Sequence, residues 1–195
     1  MKRLTAVILT VLLLGILVGC SNTNPMVVHN NESTAVSETE QHEESEVSEQ
    51  EEETEIKIGD TIVTEHIEIS IKNVELTYDV LPEKHDGFYT HYAADPGKVY
   101  ISISVDVTNT SKQNISCDEI GSVIADYNNG YTYHSFTAVE DSVTGFTYAN
   151  ITDIDPLDTQ GLKFIVECPQ EVEETEQPLF LTFKIDGKKF RYTIR

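Results

Sequence analysis

The chain has no tryptophan, two methionines and three cysteines among 195 residues, and its 13 lysines and arginines face 34 aspartates and glutamates. Each shortage excludes something. Without tryptophan there is no antibody-type pairing of a buried indole with an inter-sheet disulfide. The cysteines, at positions 20, 117 and 168, form no CxxC and no Cys/His spacing suited to zinc. So few bases exclude nucleic acid as a partner, because the net charge of −21 repels phosphate. No apolar run reaches the roughly 20 residues that span a bilayer. Also missing are a nucleophile elbow, a His-Glu-x-x-His motif, a phosphate loop and a Cys-His pair. The sequence therefore reads as that of a non-enzyme, and it implies no cofactor.

What is present begins with an address. Lys2 and Arg3 precede a fifteen-residue apolar run, Leu4 to Val18, which ends in Leu17-Val18-Gly19-Cys20. A basic start, a short apolar middle and small residues at the cut mark a secretory signal. The terminal tetrapeptide resembles the bacterial lipoprotein signal. That resemblance implies removal of residues 1–19, a diacylglycerol on the sulfur of Cys20, and a mature chain held at the extracytoplasmic face of the cell membrane. Two acyl chains give stable anchoring where one gives only marginal binding.

Residues 20–55 then read as a linker. From Ser21 to Glu55 there are eleven glutamates, no lysine or arginine and no aromatic residue. Such a composition buries too little apolar surface to offset chain entropy, so the expectation is a disordered acidic spacer. Loss of Lys2 and Arg3 leaves 34 acids against 11 bases, a net of −23, of which −12 belongs to residues 56–195. A partner compatible with that charge is cationic, neutral or metal-bearing. A protein or an envelope component qualifies.

Residues 56–195 alternate with period two. Val99, Ile101, Ile103, Val105 and Val107 lie on one parity, with Tyr100, Ser102, Ser104, Asp106 and Thr108 on the other. That pattern is a half-buried strand. Upstream, Ile67, Ile69 and Ile71 share one parity while Val74, Leu76 and Tyr78 share the other, which requires a β-bulge near Lys72-Asn73. Asp186-Gly187 signals a two-residue hairpin turn that sets Phe183 opposite Phe190 and Leu181 opposite Tyr192. A second hairpin turns at Asn128-Asn129-Gly130, with Tyr127 opposite Tyr131. Leu162 to Cys168 forms another strand, closed by Pro169, and Gln170 to Gln177 reads as a solvated loop. About seven short strands without a sustained helical period predict an all-β, immunoglobulin-like two-sheet sandwich.

Three segments carry a resemblance: the strand ending Val105-Asp106-Val107-Thr108-Asn109-Thr110-Ser111, the hairpin Tyr127-Asn128-Asn129-Gly130-Tyr131, and the run from Pro156-Leu157 to Val166. In these the chain resembles Gram-positive bacterial lipoproteins that carry a C-terminal immunoglobulin-like domain of unknown function. The resemblance covers roughly residues 56–195 and implies a sandwich, with no catalytic residues. Where that family commonly has Pro-Gly, this chain has Pro156-Leu157.

Three sets of residues are candidates for function. The excursion from Tyr78 to Lys98 is long and tyrosine-bearing. Its Phe88, Tyr89, His91 and Tyr92 could contact a partner, or the segment could cover a sheet edge. His85 and His91, with Asp86 or Asp95, fit no standard metal spacing. Asp153, Asp155 and Asp158 before Gly161 suggest a calcium loop, and hence a cation-responsive domain as the alternative function. A turn entering the next strand explains the same residues. Finally, an oxidising exterior favours a disulfide between Cys117 and Cys168, which would stabilise by about 4 kcal/mol, with two separate buried thiols as the alternative. The anchor has a direct check: Cys20→Ala should abolish the lipid-dependent electrophoretic shift and release the chain from the membrane fraction. An unchanged distribution would refute lipidation.

Overall fold

The computed structural model describes residues 53–195; the signal, Cys20 and most of the linker lie outside the described residues. In chain order the strands are β1 Thr54–Glu55, β2 Thr61–Val63, β3 Ile67–Thr77, β4 Asp79–Val80, β5 Tyr92–Ala93, β6 Lys98–Asn109 and β7 Ile115–Ser116. There follow β8 Ser122–Tyr127, β9 Tyr131–Asp141, β10 Gly145–Tyr148, β11 Asp153–Ile154, β12 Thr159–Pro169, β13 Leu179–Ile185 and β14 Lys188–Thr193. No helix among the described residues is long and apolar enough to cross a membrane.

One hydrogen-bonded path runs β1-β14-β13-β8-β9-β12-β6-β3-β2. It folds into two sheets because β9 belongs to both. Tyr131 to His134 pair with β8, whereas Ser135 to Val139 pair with β12. Numbering the seven principal strands (β3, β6, β8, β9, β12, β13, β14) one to seven, the sheets read 1-2-5-4 and 3-6-7. That is the ABED and CFG order of an immunoglobulin-type sandwich. The expected all-β sandwich is what the chain forms.

Local chemistry explains the register. The apolar parity of β6 faces inward, and Ile103 lies opposite Phe164 on β12 and Val74 on β3. The bulge expected at Lys72-Asn73 is present, as a register shift between Ile71 and Asn73 that turns Val74 and Leu76 back toward the core. Asp186 and Gly187 both take positive φ, 52° and 73°, and the hairpin pairs Phe183 with Phe190 and Leu181 with Tyr192. Outside, the Arg191 guanidinium stacks over the Phe180 ring at 3.7 Å. At the other hairpin, Asn128 and Asn129 take left-handed φ values of 51° and 55°, and Gly130 follows at φ 151°.

Four expectations need correction. First, the sheet begins before Ile56: Thr54 and Glu55 pair in parallel with Phe190 and Arg191, so the domain takes in the end of the acidic segment. Second, the acidic loop after Pro169 contains one helical turn, Glu171–Glu174, because Val172 buries its side chain in the core. Third, the excursion after β3 covers a face of a sheet, not an edge.

Fourth, the cysteines do not meet. Both are free and buried. Cys117 follows β7, whose Ile115 pairs with Ile154 at the Asn109 end of β6. Cys168 lies opposite Val99 at the other end of that strand. Ten strand residues separate Val99 from Asn109, about 30 Å, whereas a disulfide needs Cα atoms within about 7 Å. Burial pushes the Cys117 thiol up to about 11 and the Cys168 thiol up to about 12. Neither thiol is a ready nucleophile or oxidation site. Both should resist maleimide in the native protein and alkylate fully in denaturant, with no mass change on reduction; a two-dalton gain on reduction would restore the bridge.

Candidate binding groove

The outer face of the ABED sheet is apolar in its middle. Tyr100, Ala138, Phe146 and Ile165 are buried there although they point away from the main core. The segment between β3 and β6 covers them. Its small β4–β5 ladder brings Val80 and Tyr92 onto this face, and the Tyr92 ring meets Phe146 at 5.4 Å and Phe136 at 5.2 Å. The cover is latched at its margins. Thr90 donates its backbone N–H to Thr144 O at 2.7 Å, and the Tyr78 hydroxyl bonds Glu173. Gly145 makes room, because a Cβ there would lie 2.9 Å from Thr90 O and from Tyr89 Cβ.

Beside this cover sits a nearly buried ion pair. Lys163 Nζ donates to Ser104 Oγ at 2.7 Å and lies 3.5 Å from Glu140 Oε1. The other Glu140 oxygen accepts the Glu83 N–H at 2.9 Å. Burial pushes the Glu140 carboxyl above its ordinary value, against the pull of the Glu83 N–H and Lys163. A carboxylate raised in the fold favours folding most below its unfolded pKa, and that contribution fades as pH rises through the folded value.

The loop residues singled out from sequence therefore divide. Tyr92 is a packing residue. His91 Nδ1 sits 2.6 Å from Asp79 Oδ1, and Tyr89 packs edge-on between His85 and His91. Phe88 is 97% exposed and touches none of these. Asp153, Asp155 and Asp158 are exposed and do not converge: Asp153 pairs with Ser116, while Asp158 N–H closes a turn on Asp155 O. Among the described residues no group of three His, Cys, Asp or Glu is placed to hold a metal ion. These aspartates form the turn into β12. Within that turn Leu157 adopts φ 71°, where the related Pro-Gly pattern puts glycine; a non-glycine residue pays roughly 1–2 kcal/mol for that conformation.

A concavity lies elsewhere, at the end of the sandwich where β6 leaves its sheet. It is an open groove of about 730 Å³, within the size range of ligand sites. The β2–β3 turn supplies Glu65 and His66, the β6–β7 segment supplies Thr110 to Ile115, the approach to β8 supplies Glu119 and Ile120, and the β13–β14 turn supplies Asp186. Ile67 and Ile120 are buried and Ile115 half-buried, so the floor is aliphatic. Glu65, Glu119 and Asp186 form an acidic rim with Lys112 as its one lysine or arginine.

Asn109 holds this groove in shape. Buried at the end of β6, its Nδ2 donates to Gln113 O at 2.7 Å and Ile154 O at 2.8 Å, while its Oδ1 accepts Ser111 N–H at 2.8 Å. Its backbone N–H and carbonyl bond Asp158 and Leu157. Thr110 N–H ties the β2–β3 turn through His66 O. On the far side Gly121 allows close approach: a Cβ there would fall 2.5 Å from Lys184 O and Ile185 Cδ1. Sequence reasoning missed the groove because its lining comes from four separated segments. The hint available was Asn109 closing an alternating strand among hydroxyl residues.

No family model matches the chain, and no curated protein matches it. Among solved structures, a β-sandwich protein from Clostridium difficile 630 shares 47% identity over 75% of this chain and 97% of its own, with a TM-score of 0.73. Fold and comparison together define the chain's class as a β-sandwich protein. The chain belongs to the family of that Clostridium difficile protein, itself described as uncharacterised. A conserved hypothetical protein from Bacillus anthracis is 13% identical over 71% of this chain and 94% of its own, with a TM-score of 0.49.

Asn109→Ala would remove three hydrogen bonds, those to Ile154 O, to Gln113 O (which keeps the Ser111 hydroxyl) and from Ser111 N–H, at about 1 kcal/mol each. The expected loss is about 3 kcal/mol in urea unfolding, with faster amide exchange at Ser111 and Gln113. A loss below about 1 kcal/mol would show that Asn109 does not hold the groove.

Proposed function

We propose that this protein is a non-catalytic binding module, exported and held at the extracytoplasmic membrane face through a lipid on Cys20. Its partner is a protein or an envelope component. One observation carries the binding reading: the groove is an open concavity lined by isoleucines, whose rim carboxylates make no side-chain bond with another described residue. An ordinary domain end closes over its aliphatic residues or leaves convex turns. Here Asn109 ties the β6–β7 segment to β11, and Gly121 lets the chain entering β8 pack close against Lys184, so the lining loops are held in place. The Cys20 tetrapeptide and the acidic linker support the location, since they would present the sandwich at a distance from the bilayer. Of the loop residues, the exposed Phe88 is the rival contact.

A photo-reactive amino acid placed at Lys112 in living cells tests this reading, with the same group at Phe88 as comparison. The expected outcome is a discrete adduct from position 112 that disappears when exposed Asn114 is changed to Trp, which fills the groove. Absence of any discrete adduct from both positions would overturn it.

A further inference from the structure

We infer that the groove takes a cationic peptide segment, one presenting lysine or arginine side chains. This rests on the binding-module reading and specifies its partner. Three features of the groove select that chemistry.

The first is the disposition of charge. Glu65, Glu119 and Asp186 come from three different loops yet border one concavity, and none makes a side-chain hydrogen bond or ion pair with another described residue. Three acids elsewhere in the domain are paired with lysine, Asp106 with Lys72, Glu167 with Lys98 and Glu140 with Lys163. Lys112 and His66 share the rim, so at neutral pH it carries three negative charges against one fixed positive charge.

The second is the floor. Ile67, Ile115 and Ile120 line the same groove as the carboxylates, and all three are buried or half-buried. Lysine and arginine bury an aliphatic stem while holding the charged head at a polar margin. An aliphatic floor under an acidic rim matches that side chain along its length. A bare metal ion would find no use for the floor, and the carboxylates do not cluster tightly enough to ligate one.

The third is exclusion by charge. A second copy of the domain, at −12, is repelled by the rim, as is any phosphate-rich polymer. The same field draws a basic segment in and raises its association rate.

The test titrates the full chain, in detergent at low salt, with acetyl-hexalysine amide. Amide shifts are followed by NMR. Shifts should concentrate at Glu65–Ile67, Thr110–Ile120 and Asp186. The triple variant Glu65→Gln, Glu119→Gln, Asp186→Asn should bind about tenfold more weakly. A control triple with equal charge change at exposed sites, Glu75→Gln, Asp86→Asn, Glu176→Gln, should lose less than about threefold. Shifts scattered over the surface, or equal weakening in both triples, would overturn the inference. If the in-cell adduct at position 112 persists in that event, the binding module stands and the cationic assignment alone falls.

Discussion

The two-residue alternation of β6 is the constraint from which the remaining geometry follows. Ten residues put Ile and Val on one side, and Tyr, Ser, Asp and Thr on the other. The strand sits between β3 and β12, so both neighbours must match its parity or leave charged groups in the core. β3 meets that demand with a bulge after Ile71, and β12 meets it by opposing Leu162, Phe164, Val166 and Cys168 to the same row. The facing sheet answers with Leu179, Leu181, Phe183 and Ile185, all fully buried.

The other face of that sheet shows a second use of the pattern. A solvated outer face needs only polar residues, yet Tyr100, Ala138, Phe146 and Ile165 form an apolar strip there. The β3–β6 segment covers it and contributes Val80 and Tyr92. Of the aromatic residues in that loop, Tyr92 packs on the strip while Phe88 stays exposed. Beside the strip, Lys163 and Glu140 are tolerated only because Ser104 and the Glu83 N–H satisfy their remaining bonds.

At the end of the sandwich the economics reverse. Asn109 uses both its side-chain donors and its carbonyl to hold neighbouring loops in place, and the groove's carboxylates make no side-chain bond with another described residue. A domain of such negative charge gains nothing in stability from placing three acids at one margin, since like charges repel. The arrangement makes sense as a surface that meets a complementary one, held still so that little ordering is needed on contact.

Strand parity, the Lys72 bulge, and the turns at Asp186-Gly187 and Asn128-Gly130 were legible along the chain, because period two and positive-φ preference are properties of adjacent residues. The placement of Asp153, Asp155 and Asp158 in a turn was also open to that reasoning. The sharing of β9 between sheets was not, since nothing within Tyr131 to Asp141 says where a strand changes partner. Nor was the 30 Å scale separation of Cys117 from Cys168, which follows from β12 running antiparallel to β6 and placing its end at Val99. The groove belongs to the same class. Glu65, Asn114, Glu119 and Asp186 lie far apart in sequence, and only long-range strand pairing, which no local preference encodes, carries their loops to one end of the molecule.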